Sequence, residues 1–131
     1  MISSALLCLS LAIFHEARSE SIEDQIGVAA VVINRSKEED SKGVCDEVYK
    51  PSAFSWTSQK SKRKVSEKSI KNELERKAFL QAKQIAHLYL QGKLKNPIGS
   101  RLYFNSRKLG KRYKTSNKPI ILSSSSNHIF Y

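Results

Sequence analysis

At 131 residues the chain is long enough for one domain with a modest core, and its apolar content of 40% excludes disorder along the whole length. It carries 23 Lys and Arg against 12 Asp and Glu, a net charge of +11, which suits a polyanionic partner such as nucleic acid, an anionic lipid face or an acidic cell-wall polymer. Two cysteines and three histidines are too few for a disulfide framework or a zinc cluster.

Residues 1–17 predict a helix. Leu6, Leu9 and Ile13 with Leu7, Leu11 and Phe14 cover most of its circumference, and a helix apolar all round is a buried one. The run lacks a basic leader and a small-residue cleavage site and is too short to span a bilayer, so it reads as the first helix of the fold rather than a signal peptide. Cys8 within it reads as a small core residue. The spacing to Cys45 gives no support for a bridge and leaves one open. Glu16 falls at the C-terminal end of this helix, partly shielded from water. Burial and the helix's negative end both help a carboxyl keep its proton there, the setting of a general acid. The plainer reading is that Glu16 and Glu20 flank Arg18 in a solvated turn.

A second helix is expected over 21–34, with Ser21 as N-cap and Glu23 and Asp24 in the first turn. Ile26, Ala29, Ala30 and Ile33 recur at helical spacing, widened by Val28 and Val32. Residues 18–20 then form a hinge between two packed helices. Residues 35–50 read as a polar loop with at most a short helical turn. Residues 51–57 read as extended, which would put Phe54 and Trp56 on one side, either as core or as a stacking platform for sugars or bases. A basic, serine-rich loop follows at 58–68, then the longest helix over about 66–91, with Leu74, Ala78, Ala82, Ile85, Ala86 and Leu90 on one face and Gly92 as its stop. Short strands are expected at 102–104, 120–122 and 127–131, with a second basic loop at 107–118. Neither repeats nor a second domain are apparent, so residues 1–131 read as one domain.

Several chemistries fall away. His15-Glu16 would begin an H-E-x-x-H zinc helix, but position 19 is Ser. Phosphate loops and G-x-S-x-G turns are absent from the sequence. A Cys8–His128 nucleophile pair fails because a thiol in an apolar helix is inert. Acid–base chemistry by carboxylates remains.

Six pieces occur in a fixed order: His15-Glu16-Ala17-Arg18-Ser19-Glu20, then residues 25–35 (Q-I-G-V-A-A-V-V-I-N-R), Val44-Cys45-Asp46-Glu47-Val48-Tyr49, Phe54-Ser55-Trp56-Thr57, Leu102-Tyr103-Phe104 and Asn127-His128-Ile129-Phe130-Tyr131. Together they resemble the SleB-type cell-wall hydrolase family, which includes spore-cortex-lytic enzymes and phage and bacterial relatives. The resemblance implies a mainly helical α+β domain of lysozyme-like and resuscitation-factor-like type with a small antiparallel β element. It implies cleavage of the muramic acid–glucosamine bond of peptidoglycan, most often as a lytic transglycosylase; neither cofactor nor metal is expected. Glu16 would be the family's acid. Phe54 and Trp56 would line the sugar groove, with Tyr103, Asn105 and His128 contacting substrate and Glu20, Thr57 and Tyr131 in support. Glu20 is the nearest second carboxylate, but the hinge is expected to turn it away; Glu23, Asp46 and Glu47 have less support. That favours a transglycosylase over a lysozyme-type muramidase.

The chain departs from the pattern in three places: Ser19 where Gly is usual, Asn105-Ser106 where His-Asn is common, and Asn127 where Gly often stands. The basic loops are its own. A monomer acting on glycan strands in an anionic envelope is expected. The competing class is a basic nucleic-acid-binding module, but the aromatics lie apart from the basic runs and none of the familiar binding motifs appears. An amidase on the same fold would ordinarily need zinc.

Overall fold

The apolar N-terminal run folds as helix α1, Ser4–Ala17, in a computed structural model that describes residues 4–131. The first three residues of the expected helix lie outside the described residues. Leu9, Leu11, Ala12, Ile13 and Phe14 are all at most 2% exposed, and each large side chain buried this way contributes about 1.5–3 kcal/mol. Helix α1 packs against α2 (Ile22–Ser36), α3 (Val44–Tyr49) and α5 (Glu73–Leu90), the last being the most extensive contact. A four-residue helix α4 (Lys60–Arg63) and an antiparallel pair, β1 (Phe104–Ser106) with β2 (His128–Phe130), complete the fold. None of the described helices is long and apolar enough to cross a membrane.

Helix α2 starts where its sequence predicts. The Ser21 hydroxyl accepts from the Asp24 N–H at 3.2 Å, and Glu23 and Asp24 occupy the first turn. Its other face lies on the sheet, where Ala30 and Val31 join Ile98 and Phe130 in a second small core. Contact is closest at Gly27, where a Cβ would stand 2.4 Å from the Phe130 ring, so only glycine lets the helix come down on β2.

The hinge between α1 and α2 contains Ser19 in a left-handed conformation, φ 68°. A side chain there costs about 1 kcal/mol that glycine avoids, partly offset by glycine's greater freedom when unfolded. Ser19→Gly is therefore expected to stabilise by a few tenths to about 1 kcal/mol. Urea unfolding would show this as a higher midpoint at unchanged slope, and a lower midpoint would refute it.

Other expectations are corrected. Residues 51–57 do not run extended: a turn leads into a 3-10 turn at Ser55–Ser58, closed by the Thr57 hydroxyl donating to the Phe54 carbonyl at 2.8 Å. Phe54 and Trp56 therefore lie against each other, ring centroids 6.2 Å apart, and are only 6% and 3% exposed. The long helix begins at Glu73 rather than near 66, because the Asn72 side chain caps it by accepting from the N–H groups of Leu74 and Glu75. Leu74, next to that cap, projects into solvent, and Phe79 joins Ala82, Ile85 and Ala86 in the core instead. Gly92 ends the helix with φ 73°. The first strand starts two residues late, at Phe104, since the N–H groups of Leu102 and Tyr103 both go to the Tyr131 carbonyl. Of the expected strand at 120–122 there is a single bridge, Ile120 to Phe130.

Cys8 is not a lone core thiol. It is bonded to Cys45 with their Cα atoms 5.3 Å apart, which ties α1 to α3.

Candidate active site

The last turn of α1, the C-terminal end of α2, α3 and the two strands surround an open groove of about 730 Å³. Glu16, Arg35, Glu47, Tyr103 and His128 line it. Glu16 is there because α1 is buried to its final turn: Phe14 and Ala17 on either side face the core. Burial pushes the Glu16 carboxyl up from its ordinary pKa; the charge of His128, the Trp56 N–H and the Arg35 guanidinium pull the other way. The Trp56 indole N–H faces the carboxyl closely enough to favour its ionised form. It falls short of hydrogen-bond geometry, however, and is a buried donor without a partner. Short geometry matters here, because an N–H that made the full bond would oppose protonation more strongly. Trp56 is a support behind Glu16 rather than a wall of the groove, while Phe54 reaches the groove surface. His15 holds this corner from outside, its ring 4.5 Å from Trp56 and its Nε2–H donating to the Lys62 carbonyl at 2.8 Å.

Arg35 belongs to the site, which its sequence position alone does not reveal. Its guanidinium lies over Phe54 at 5.8 Å and over Tyr103 at 5.6 Å, and its Nε donates to the Leu102 carbonyl at 2.7 Å. Burial lowers its pKa, against the neighbouring Tyr103, Glu47, Tyr113 and Glu16. Next to it, Asn34 donates to the Gly99 and Arg101 carbonyls at 2.8 Å each, pinning the helix end to the start of the strand region. Glu47, given little weight from sequence, is also in the groove. It is 8% exposed and 3.8 Å from Lys50.

The C-terminal motif arrives from the other side. His128 Nδ1 lies 3.2 Å from Asp24 Oδ2, and the same oxygen accepts the Asn127 backbone N–H at 3.2 Å. Glu20 is turned from the groove, as expected of the hinge, and its Oε2 accepts from the Asn127 side chain at 2.8 Å. Among the described residues, Glu20, Asp24 and His128 are the one set of side chains near enough to share a metal ion, their ligand atoms lying within 4.8 Å of one another. Within the set, Glu20 Oε2, Asp24 Oδ2 and His128 Nδ1 are engaged in the hydrogen bonds just given.

Asn105 and Tyr131 act as a brace. The buried Tyr131 hydroxyl donates to Asn105 Oδ1 and accepts the N–H groups of Arg112 and Tyr113 at 2.9 and 3.3 Å. The Asn105 amide donates to the Ser106 and Gly110 carbonyls at 3.0 and 2.6 Å. Its polar atoms are thus turned to the 107–118 loop, although the residue lines the groove. Tyr103 stacks between Tyr113 and Tyr131 at 5.1 and 5.8 Å, making an aromatic wall. Thr57 does not line the groove; it closes the turn that seats Trp56. The assembled site offers a carboxyl with a raised pKa, an imidazole, a guanidinium and flat aromatic faces along an open channel. That is equipment for acid–base chemistry on a chain-like substrate.

No curated protein sequence matches the chain. Among solved structures it is similar to the catalytic domain of the Bacillus cereus SleB protein, at 22% identity and a TM-score of 0.57, over 99% of this chain and 91% of that one. The fold is therefore the expected mainly helical α+β domain with a small antiparallel sheet. The family model described as Cell Wall Hydrolase matches residues 19–131, a stretch that starts just after Glu16 and takes in Arg35, Glu47 and His128. By that match the chain belongs to the cell wall hydrolase family.

Proposed function

We propose that the protein cleaves the glycan strand of peptidoglycan at the muramic acid–glucosamine bond as a lytic transglycosylase, with Glu16 as its single acid and base. The observation that carries this reading is the position of Glu16, at the buried end of α1 and open to the groove, with its pKa raised by desolvation. Protonated Glu16 gives its proton to the glycosidic oxygen as the bond to the anomeric carbon breaks and oxocarbenium character develops. The carboxylate then takes the proton of the muramoyl 6-hydroxyl, whose oxygen closes on the anomeric carbon. Glu16 ends the cycle protonated again, and no water is consumed. Phe54 and the Tyr103–Tyr113 wall provide apolar faces for sugar rings, and the +11 net charge draws the enzyme to an anionic envelope.

Glu47 favours a second reading. A buried carboxylate in the same groove is what a lysozyme-type muramidase would use to stabilise the cation or activate water. Mass spectrometry of the soluble products from purified peptidoglycan separates the two. The expected products carry 1,6-anhydro-muramic ends, lighter by a water than hydrolytic ones, and Glu47→Gln still makes them. Reducing ends that vanish in Glu47→Gln would establish the muramidase instead.

A further inference from the structure

We propose that Asp24 is a positioning residue: it holds the His128 ring so that Nδ1 carries the proton and Nε2 presents a lone pair to the groove beside Glu16, where it accepts a hydrogen bond from a hydroxyl or amide N–H of the bound sugar. The inference rests on the glycan-cleaving reading above and assigns a role to a residue that reading does not use.

Three observations carry it. Asp24 is wholly buried in the first turn of α2, and its Oδ2 is 3.2 Å from His128 Nδ1. A carboxylate only accepts, so Nδ1 must donate, and a neutral imidazole is then left with Nε2 as its acceptor. Second, His128 lines the groove with Glu16, yet among the described residues Nε2 has no hydrogen-bond partner. Third, the chain around His128 is fixed by the same cluster. The Asn127 N–H donates to Asp24 Oδ2, the Asn127 side chain donates to Glu20, and the rings of Phe104 and Phe130 lie 5.6 and 6.3 Å from the imidazole.

Packing alone does not explain the carboxylate. Asp24 Oδ1 is buried without a partner, which weighs against the folded state. An apolar side chain would avoid that penalty. What it could not do is choose between the two tautomers of a ring on the opposite side of a helix–sheet contact. A third group that orients an imidazole in this way is a recurrent device of acid–base sites.

Isotope-edited nitrogen NMR of the whole wild-type protein, at alkaline pH, reads the tautomer directly. The expected signature is a protonated Nδ1 and a bare Nε2; a protonated Nε2 overturns the proposal. Asp24→Asn keeps the shape but can donate to Nδ1 as well as accept. With the fold intact by circular dichroism, it is expected to mix the tautomers and lower kcat by about tenfold or more, with less effect on KM. A folded Asp24→Asn protein with wild-type kcat also overturns it. Should that variant fail to fold, the wild-type spectrum alone decides. The underlying reading fails separately, through full activity in Glu16→Gln, which leaves the His128 spectrum as evidence on Asp24.

Discussion

Glu16→Gln is expected to leave the fold intact and lower the turnover of peptidoglycan by roughly 10²–10⁴-fold, the range for loss of a general acid. The amide keeps the shape of the carboxyl and removes its transferable proton. The same variant has a second, opposite effect. Because desolvation raises the folded pKa of Glu16 above its ordinary 4.5, the folded state holds a proton that the unfolded chain has released. Stability therefore falls as pH rises from the ordinary value through the folded one, and the deficit persists above it. The glutamine does not titrate, so Glu16→Gln should melt higher than wild type at neutral pH, with the gap closing in acid. A soluble-product assay and calorimetry across pH read both effects on one pair of proteins. Full activity in the variant would end the acid assignment. A melting gap that widened towards acid would mean that the carboxyl is stabilised in its ionised form, contrary to the burial at the end of α1.

The other large effect is expected from the Cys8–Cys45 bond. It closes a loop with a sequence separation of 37, and on loop-closure entropy its removal costs about 4 kcal/mol. That is a large share of the roughly 5–15 kcal/mol by which domains are stable. Replacing both cysteines with serine, or adding a reductant, should move the urea midpoint accordingly. A change below about 1 kcal/mol would show that the packing of α1 on α3 constrains the chain without the bond. Activity at moderate temperature should fall with stability, since α3 carries Glu47 on the groove wall.

Much of this was legible in the sequence where the information is local. The apolar run that stops abruptly at His15-Glu16 marks both a buried helix and the carboxyl at its end. Ser21 and the acids after it set the start of α2 within a residue. Distant information was not legible. Asp24 meets His128 across 104 positions, and nothing in a first-turn aspartate distinguishes that role from helix capping. Arg35 looks like a solvated helix end until Phe54 and Tyr103 close around it. Alternation placed Phe54 and Trp56 together correctly but for the wrong reason: a 3-10 turn, not an extended segment, makes them neighbours and buries the indole. The two thiols had no spacing signal because their approach depends on how α1 packs on α3. Glu47 was discounted for the same reason, its burial being a property of the groove and not of the six-residue helix that bears it.

The burial of α1 on nearly every side also bears on how such an enzyme can diversify. Glu16 rides on a helix that is packed against three other helices. The lysine-rich 107–118 segment adds Leu109, Arg112 and Tyr113 to the groove wall and is attached through Tyr131 and Asn105. On the proposed function, the acid and this part of the groove wall are thus mounted on separate parts. A change of length or charge within that segment that keeps its two anchor residues is therefore expected to leave the carboxyl at the end of α1 in place.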